Sequence, residues 1–255
     1  MEALDRAGIR RAVVLSDAYY FGTARGRPLS DEAGQVRAEN DWTAAQVGEF
    51  PERLVAFCSF NPLKDYAMAE LDRCASSGRF RGLKLHFGGA QLDFDDAEQV
   101  AKVRRVMEAA NRLRLPMIIH VRSSGKWGRE HAEIFLHQLV AAAPDVPITV
   151  AHLWGGENYS ESALAYFADA VSAGHRATKN LYFDVAECWL FGGPREREAM
   201  VRRMRQIGLG RILYGSDAGK AEPRESWAAF AQKMPLTDGE LRAIAGNVAP
   251  YLRGR

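Results

Sequence analysis

Three apolar runs of this chain each end in a residue type that can bind a metal ion. The runs are MIIH, ITVAH and ILYGSD, which end at His120, His152 and Asp217. Each run is typical of a buried parallel strand, so its polar residue is expected at the carboxyl end, where a loop begins. Two imidazoles and a carboxylate suit a catalytic divalent metal that keeps one position open for water. His120, His152 and Asp217 are therefore the predicted metal ligands.

Each of these residues also has an ordinary structural interpretation. A lone histidine after an apolar run is more often a hydrogen-bonded core residue, but two histidines at equivalent places in successive units favour a site. Asp217 follows Gly215, which has no side chain to keep a carboxylate away from a metal. The alternative for Asp217 is the N-cap of the following helix, a position where Asp is a preferred residue.

Four further residues are candidates for substrate binding. Lys84 and His86 alternate in GLKLHF, so they share one face of a strand. A buried lysine is unusual unless it is paired or functional, and an inward Lys84 could bind a substrate carboxylate or bridge metals as a carbamate. The alternative is an outward, solvated pair. Arg122 has the parity of His120 and could bind an anionic group. Trp154 could form a pocket wall or simply pack in the core.

Seven strand-like segments alternate with helical segments along the chain. The strands are predicted to begin near Ala12, Leu54, Gly82, Met117, Ile148, Leu181 and Ile212. In Asp96–Arg114 the apolar residues recur every three or four positions, as on the buried face of a helix. Such alternation indicates an α/β fold with a parallel sheet covered by helices. Ligands at the ends of non-neighbouring strands favour a TIM-type (β/α)8 barrel over an open doubly wound sheet.

The boundaries of the fold follow from weaker signals. Helices are also predicted over Glu130–Ala143, Ser160–Ala173 and Thr237–Leu252, the last with a capping box. No linker-like segment divides the chain, so residues 1–255 are predicted to form one domain. Only seven strands are visible, and Met1–Ala7 resembles the end of a helix. The barrel is therefore expected to lack its first strand in this chain, and its unpaired strand edges could promote a homo-oligomer.

Composition excludes several classes of function. The 34 basic and 32 acidic residues give a net charge of +2, which argues against a nucleic-acid or membrane-surface partner. The chain has no apolar run long enough to span a membrane and no secretory signal. Three cysteines without a C-x-x-C pair indicate reduced thiols and a cytoplasmic protein. The absence of P-loop, G-x-G-x-x-G and G-x-S-x-G motifs argues against nucleotide binding and serine hydrolysis.

The order of the segments resembles the amidohydrolase superfamily, specifically its amidohydrolase-related group. The matching segments, between Gly8 and Leu252, are GIRRAVVLS, PERLVAFCSFNP, GLKLHFG, MIIHV, ITVAH, LYFDVAE, ILYGSDAG and AIAGNVAPYL. The resemblance implies a strand–helix barrel that binds a divalent metal, commonly zinc. His120 matches the fifth-strand ligand, and Asp217 matches the eighth-strand acid that binds metal and transfers protons. His152 matches the sixth-strand histidine, which binds metal or polarises the substrate.

The first-strand H-x-H pair of this family has no counterpart in the sequence. A late start, a truncation or a degenerate barrel that lost its metal would each explain this, and a missing front segment is the favoured explanation. The resemblance implies hydrolysis of a C–N or C–O bond at a carbonyl of a small anionic substrate, with Asp217 and His152 as catalytic residues. The alternatives are non-oxidative decarboxylation of a small aromatic or unsaturated acid, or a scaffold protein without metal.

Overall fold

Seven parallel strands form one curled half-barrel in which each strand pairs with the next along the chain. The computed structural model describes residues 1–23, 29–121, 127–155, 159–219 and 221–253. The strands are β1 (Ala12–Leu15), β2 (Leu54–Ser59), β3 (Phe80–His86), β4 (Met117–His120), β5 (Ile148–Val150), β6 (Leu181–Asp184) and β7 (Ile212–Leu213). Within the described residues β1 and β7 do not pair with each other, so the sheet is open on one side. The predicted α/β barrel architecture with seven strands is confirmed.

Helices follow the strands. They are α1 (Glu2–Arg6), α2 (Glu32–Gly48), α3 (Ala67–Ser76), α4 (Phe87–Ala90), α5 (Ala97–Arg112), α6 (Arg129–Ile134), α7 (Glu161–Ser172), α8 (Pro194–Ile207), α9 (Pro223–Lys233) and α10 (Asp238–Gly246). Helix α6 continues as a π-helical segment, Phe135–Leu139, and a 3-10 turn, Val140–Ala142. The helix predicted over Glu130–Ala143 is therefore one helical run whose pitch changes along its length. No helix in the described ranges combines the length and apolar character of a membrane span.

Helix α5 shows how the sequence specifies these elements. Asp96 caps it by accepting hydrogen bonds from the backbone N–H groups of Glu98 and Gln99. Its apolar stripe, which includes Val100, Val103 and Met107, is buried as the periodicity predicts. The cap fixes where the helix begins, and burial of the stripe against the sheet stabilises it.

The last predicted helix is shorter than expected. Helix α10 begins with the predicted capping box, in which Thr237 accepts a hydrogen bond from the backbone N–H of Glu240. It ends at Gly246, and a separate 3-10 turn, Pro250–Leu252, follows. Two physical causes act here: Pro250 disfavours helical backbone in the residue before it, and the side chain of Asn247 donates to the carbonyls of Leu209 and Ile212.

The two faces of the sheet build separate cores. Alternate strand residues such as Cys58, Leu83 and Ile119 join the large core beneath the helices. The inner face forms a second cluster, which contains Val55, Phe57, Ile118 and Ala151, together with Val13, Leu15, Tyr251 and Leu252. Gly82 makes room for this cluster, since a Cβ there would lie 2.3 Å from the ring of its strand neighbour Phe57.

The C-terminal turn fills the inside of the half-barrel. The ring of Tyr251 packs edge-on against Phe57, with 5.2 Å between ring centroids. Its hydroxyl lies 3.1 Å from the hydroxyl of Thr149 on β5. Layers of inward side chains fill strand–helix barrels, and here a residue from outside the sheet supplies part of one layer. Tyr251 therefore forms part of the floor beneath the carboxyl ends of the strands.

Candidate active site

Two histidines meet at the carboxyl end of the sheet because their strands are in register. His86 ends β3 and His120 ends β4, and the two residues are paired directly across the strands. Their rings stack with centroids 4.0 Å apart and planes inclined by 14°. The other face of His86 stacks on Tyr19, at 4.6 Å. His120 in turn lies edge-on to His152, at 4.9 Å.

His152 lies in the turn that begins directly after β5, at the carboxyl end of the sheet. Strand β5 ends at Val150, and His152 adopts the left-handed conformation with φ 55°. Leu153 and Trp154 also have positive φ, a conformation that costs about 1–3 kcal/mol for each non-glycine residue and persists where the surroundings enforce it. The carboxylate of Asp184 provides one such restraint, accepting hydrogen bonds from the backbone N–H groups of His152 (2.9 Å) and Ala186 (3.1 Å).

The ring of His152 is oriented by a backbone carbonyl. Its Nδ1 lies 2.8 Å from the carbonyl oxygen of Ala186, which can only accept a hydrogen bond. Nδ1 therefore carries a proton, and in the neutral imidazole the lone pair is at Nε2. Asp184 positions His152 through its main chain rather than through its ring.

The ring of His152 lies close to two carboxylates. Its Nε2 is 3.8 Å from Oδ2 of Asp217. Donor atoms of His152, Glu187 and Asp217 all lie within 4.8 Å of one another, whereas His120 contributes no atom to this group among the described residues. Asp217 has φ 47° and a side chain that is 53% exposed. It does not cap the next helix, because α9 begins at Pro223.

These three side chains could hold a divalent cation. Carboxylate oxygens and an imidazole nitrogen are ordinary ligands for such ions, and three protein donors leave positions open for other ligands. Glu187 was not predicted as a ligand. Its sequence signal is weak, since acidic residues after strands commonly cap helices. In the structure it is buried and precedes a 3-10 turn without capping it.

Lys84 lies on the inner face of the sheet, below the histidines. It is buried, and burial lowers the pKa of its ammonium group. The negative charges of Asp184, Asp217 and Asp17 oppose this shift and favour the charged form. The structure thus selects the inward alternative for Lys84 and places it among carboxylates at the strand ends.

Asp17, which follows β1, is a further acidic residue of this region that the sequence analysis missed. Burial raises the pKa of its carboxyl, the charge of Lys84 lowers it, and that of Asp217 raises it again. Its position after an apolar run resembles that of Asp217. Asp17 was not predicted because no histidine lies near it in the sequence to indicate a site.

The remaining predicted substrate-binding residues have different outcomes. Trp154 is completely buried and packs against Phe135 and Phe167, with ring centroids 5.2 Å away in each case. Its indole N–H donates to the carbonyl of Trp127 at 3.0 Å. These contacts favour the packing alternative for Trp154. Arg122 lies outside the described residues.

Comparison with known proteins identifies the family. A sequence model described as "Amidohydrolase" matches residues 7–249 of the chain. The chain belongs to the amidohydrolase family. The resemblance inferred from the order of the segments is thereby confirmed. No curated protein matches the chain in a direct sequence comparison.

Solved structures of similar fold include several decarboxylases. A 2,6-dihydroxybenzoate decarboxylase complexed with 2,6-dihydroxybenzoate has a TM-score of 0.65 and 18% identity, covering 95% of this chain and 83% of its own. A 5-carboxyvanillate decarboxylase from Sphingomonas paucimobilis has a TM-score of 0.64 and 17% identity. The match covers 96% of this chain and 79% of the decarboxylase. A dihydroxybenzoic acid decarboxylase from a Polaromonas species, with bound manganese and the inhibitor 2-nitroresorcinol, has a TM-score of 0.60 and 18% identity, covering 95% and 81%. At these identities the likeness shows the fold.

Proposed function

We propose that the chain is a metal-dependent, non-oxidative decarboxylase of a small aromatic or unsaturated acid. The observation that carries the proposal is the convergence of His152, Glu187 and Asp217 beside a buried lysine at the carboxyl ends of the strands. The similar structures described as decarboxylases favour this reaction over the hydrolysis first predicted from the sequence.

A divalent metal is the proposed cofactor, held by His152, Glu187 and Asp217. When bound, it would supply a Lewis acid that holds and polarises oxygen atoms of the substrate. The sequence resemblance favoured zinc. A donor group with two carboxylates and one imidazole also suits manganese, which binds oxygen ligands readily. Manganese is bound in three of the similar decarboxylase structures.

The protein groups have separate tasks in this proposal. Lys84 would pair with the carboxylate of the substrate, because a buried ammonium group is stabilised by an adjacent negative charge. Decarboxylation breaks the bond between the substrate carbon and its carboxylate, releases carbon dioxide and leaves a carbon that gains a proton. Asp217 would deliver that proton, since its carboxyl is about half exposed and lies 3.8 Å from Nε2 of His152. His86, stacked between Tyr19 and His120, would border the substrate.

Metal-assisted hydrolysis of a C–N or C–O bond is the second candidate. The solvent exposure of Asp217, 3.8 Å from Nε2 of His152, favours it because water could reach this pair directly. In that reaction Asp217 would accept the proton of the attacking water, and His152, whose Nε2 carries the lone pair, would help to hold the metal that supplies a Lewis acid to the carbonyl.

A substrate panel tests both candidates. The protein is incubated with Mn²⁺ or Zn²⁺ and with small aromatic acids, unsaturated acids, amides and lactones, in D₂O and in ¹⁸O-labelled water. The proposal predicts release of carbon dioxide, with one deuterium on the product carbon and no ¹⁸O in the organic product. Asp217→Asn should lower this rate at least 100-fold, and the exposed Asp169→Asn should not. Incorporation of ¹⁸O without carbon dioxide release would instead establish the hydrolase.

The cellular setting of this reaction remains a prediction. The three cysteines, Cys58, Cys74 and Cys188, are free and buried, which fits the expected reducing, cytoplasmic environment. A homo-oligomer and a single domain over residues 1–255 also remain predictions. The metal-depleted scaffold is the competing function, and direct measurement of metal binding distinguishes it.

A further inference from the structure

Four aromatic rings form a continuous stack that leads from the protein surface to His152. Tyr20, which is 60% exposed, stacks on Tyr19 at 4.4 Å between centroids. Tyr19 stacks on His86 at 4.6 Å, and His86 stacks on His120 at 4.0 Å. The last ring contacts the edge of His152. The ring of His86 is therefore held from two sides, by its stacking on Tyr19 and by the backbone N–H of Gly89, which donates to its Nδ1 at 2.8 Å.

Tyr19 is held by a buried serine. The last sheet hydrogen bond of the first strand is donated by the N–H of Ser16 to the carbonyl of Phe57. Beyond it the chain leaves the sheet, and the backbone N–H of Tyr19 donates to Oγ of Ser59 at 3.0 Å. Ser59 ends β2 and is completely buried. This hydrogen bond links the loop after β1 to the neighbouring strand end.

Ser59 is itself fixed by the side chain of Asn40 on helix α2. The amide oxygen of Asn40 accepts from the N–H of Ser59 at 2.9 Å, and its NH₂ group donates to the carbonyl of Ser59 at 3.0 Å. The same NH₂ group donates to Glu70 at 2.8 Å. Glu70 is buried and accepts two hydrogen bonds from the guanidinium of Arg73. A buried amide whose partners are all satisfied permits one arrangement of the groups around it.

We propose that Ser59 and Asn40 are positioning residues of the site. They hold the loop after β1 so that Tyr19 packs on His86, and this contact acts together with the hydrogen bond from Gly89 to hold the stacked pair of His86 and His120 against His152. The inference rests on the proposed function only where metal affinity is measured, because the orientation of the rings can be observed without metal.

The test is a double-mutant cycle on the metal-free protein with labelled histidines. Ser59→Ala removes the acceptor of the Tyr19 N–H, and Tyr19→Leu removes the ring. Each variant should shift the NMR resonances of the His86 and His120 side chains, assigned by single histidine substitutions. The double variant should show the shifts of Tyr19→Leu alone, because Ser59 acts through that ring. Tyr19→Phe keeps the ring and should leave the resonances in place.

A second readout and a control complete the experiment. Partners that orient residues around a metal typically contribute 10–100-fold to its affinity, so Ser59→Ala should weaken Mn²⁺ binding about tenfold. Ser226→Ala, another buried serine, should change neither readout. Circular dichroism confirms that each variant is folded. Unchanged histidine resonances in folded Ser59→Ala, or additive shifts in the double variant, would overturn the inference. A protein that binds no Mn²⁺ but shows the predicted shifts would refute only the proposed function.

Discussion

The hydrogen bond between the hydroxyls of Tyr251 and Thr149, on the inside of the half-barrel, should stabilise the folded protein. Thr149 is completely buried, so removing the hydroxyl of Tyr251 leaves the hydroxyl of Thr149 without this partner and without access to water. Such a loss costs about 1–3 kcal/mol, whereas replacing both partners by apolar groups of the same shape can be nearly neutral. Tyr251→Phe and Thr149→Val keep the shapes of the two side chains. Each single variant should therefore lower the free energy of unfolding by about 1–2 kcal/mol.

The assay is urea unfolding at pH 7 of the wild type, both single variants and the double variant. The double variant should lose no more free energy than one single variant, with unchanged m-values, which gives a coupling energy of at least about 1–2 kcal/mol. Burial raises the pKa of Tyr251, so its hydroxyl is protonated at the pH of the assay. Strictly additive losses would refute the reasoning, because they would show that the two hydroxyls do not interact in the folded protein.

Two further predictions concern packing and charge. Trp154→Ala should lower the free energy of unfolding by about 3–5 kcal/mol, because it leaves a cavity at a fully buried position beside Phe135. Urea unfolding measures this loss. A loss below about 1 kcal/mol would contradict a packing role for Trp154. Glu240→Gln should cost about 1 kcal/mol at pH 7, since the hydrogen bonds from Arg205 lower the pKa of Glu240 to about 2. This stabilisation is present above the unfolded-state pKa of about 4.5 and is lost as the pH falls through 2, so the difference between the two proteins should be largest near pH 7 and much smaller at pH 2. A pH-independent difference would refute the assignment.

The architecture could be predicted because buried parallel strands produce continuous apolar runs. The seven strands, the buried stripe of α5 and the capping box at Thr237 each have a local sequence signal that the structure bears out. Lys84 was expected on the inner face or in solvent, and the pleat places it inside with Ile118 of the neighbouring strand. The sequence could not decide between these alternatives because alternation identifies a face but not its direction.

The details of the site were harder to predict for physical reasons. Trp154 was considered for the pocket because it shares the parity of His152, but parity holds only while the backbone is extended. From His152 to Trp154 the backbone is left-handed, so the alternation fails and the indole enters the core. Glu187 and Asp17 follow strands in a common sequence context. Only the three-dimensional arrangement shows that they lie near Asp217.

Direct titration with Mn²⁺, followed by electron paramagnetic resonance of the unbound ion, tests whether His152, Glu187 and Asp217 form a metal centre. The wild type should bind one equivalent per chain. His152→Ala and Asp217→Asn should each weaken binding at least tenfold, and Asp169→Asn should bind as the wild type does. No Mn²⁺ or Zn²⁺ binding by the wild type, or wild-type affinity in folded His152→Ala and Asp217→Asn, would contradict the account.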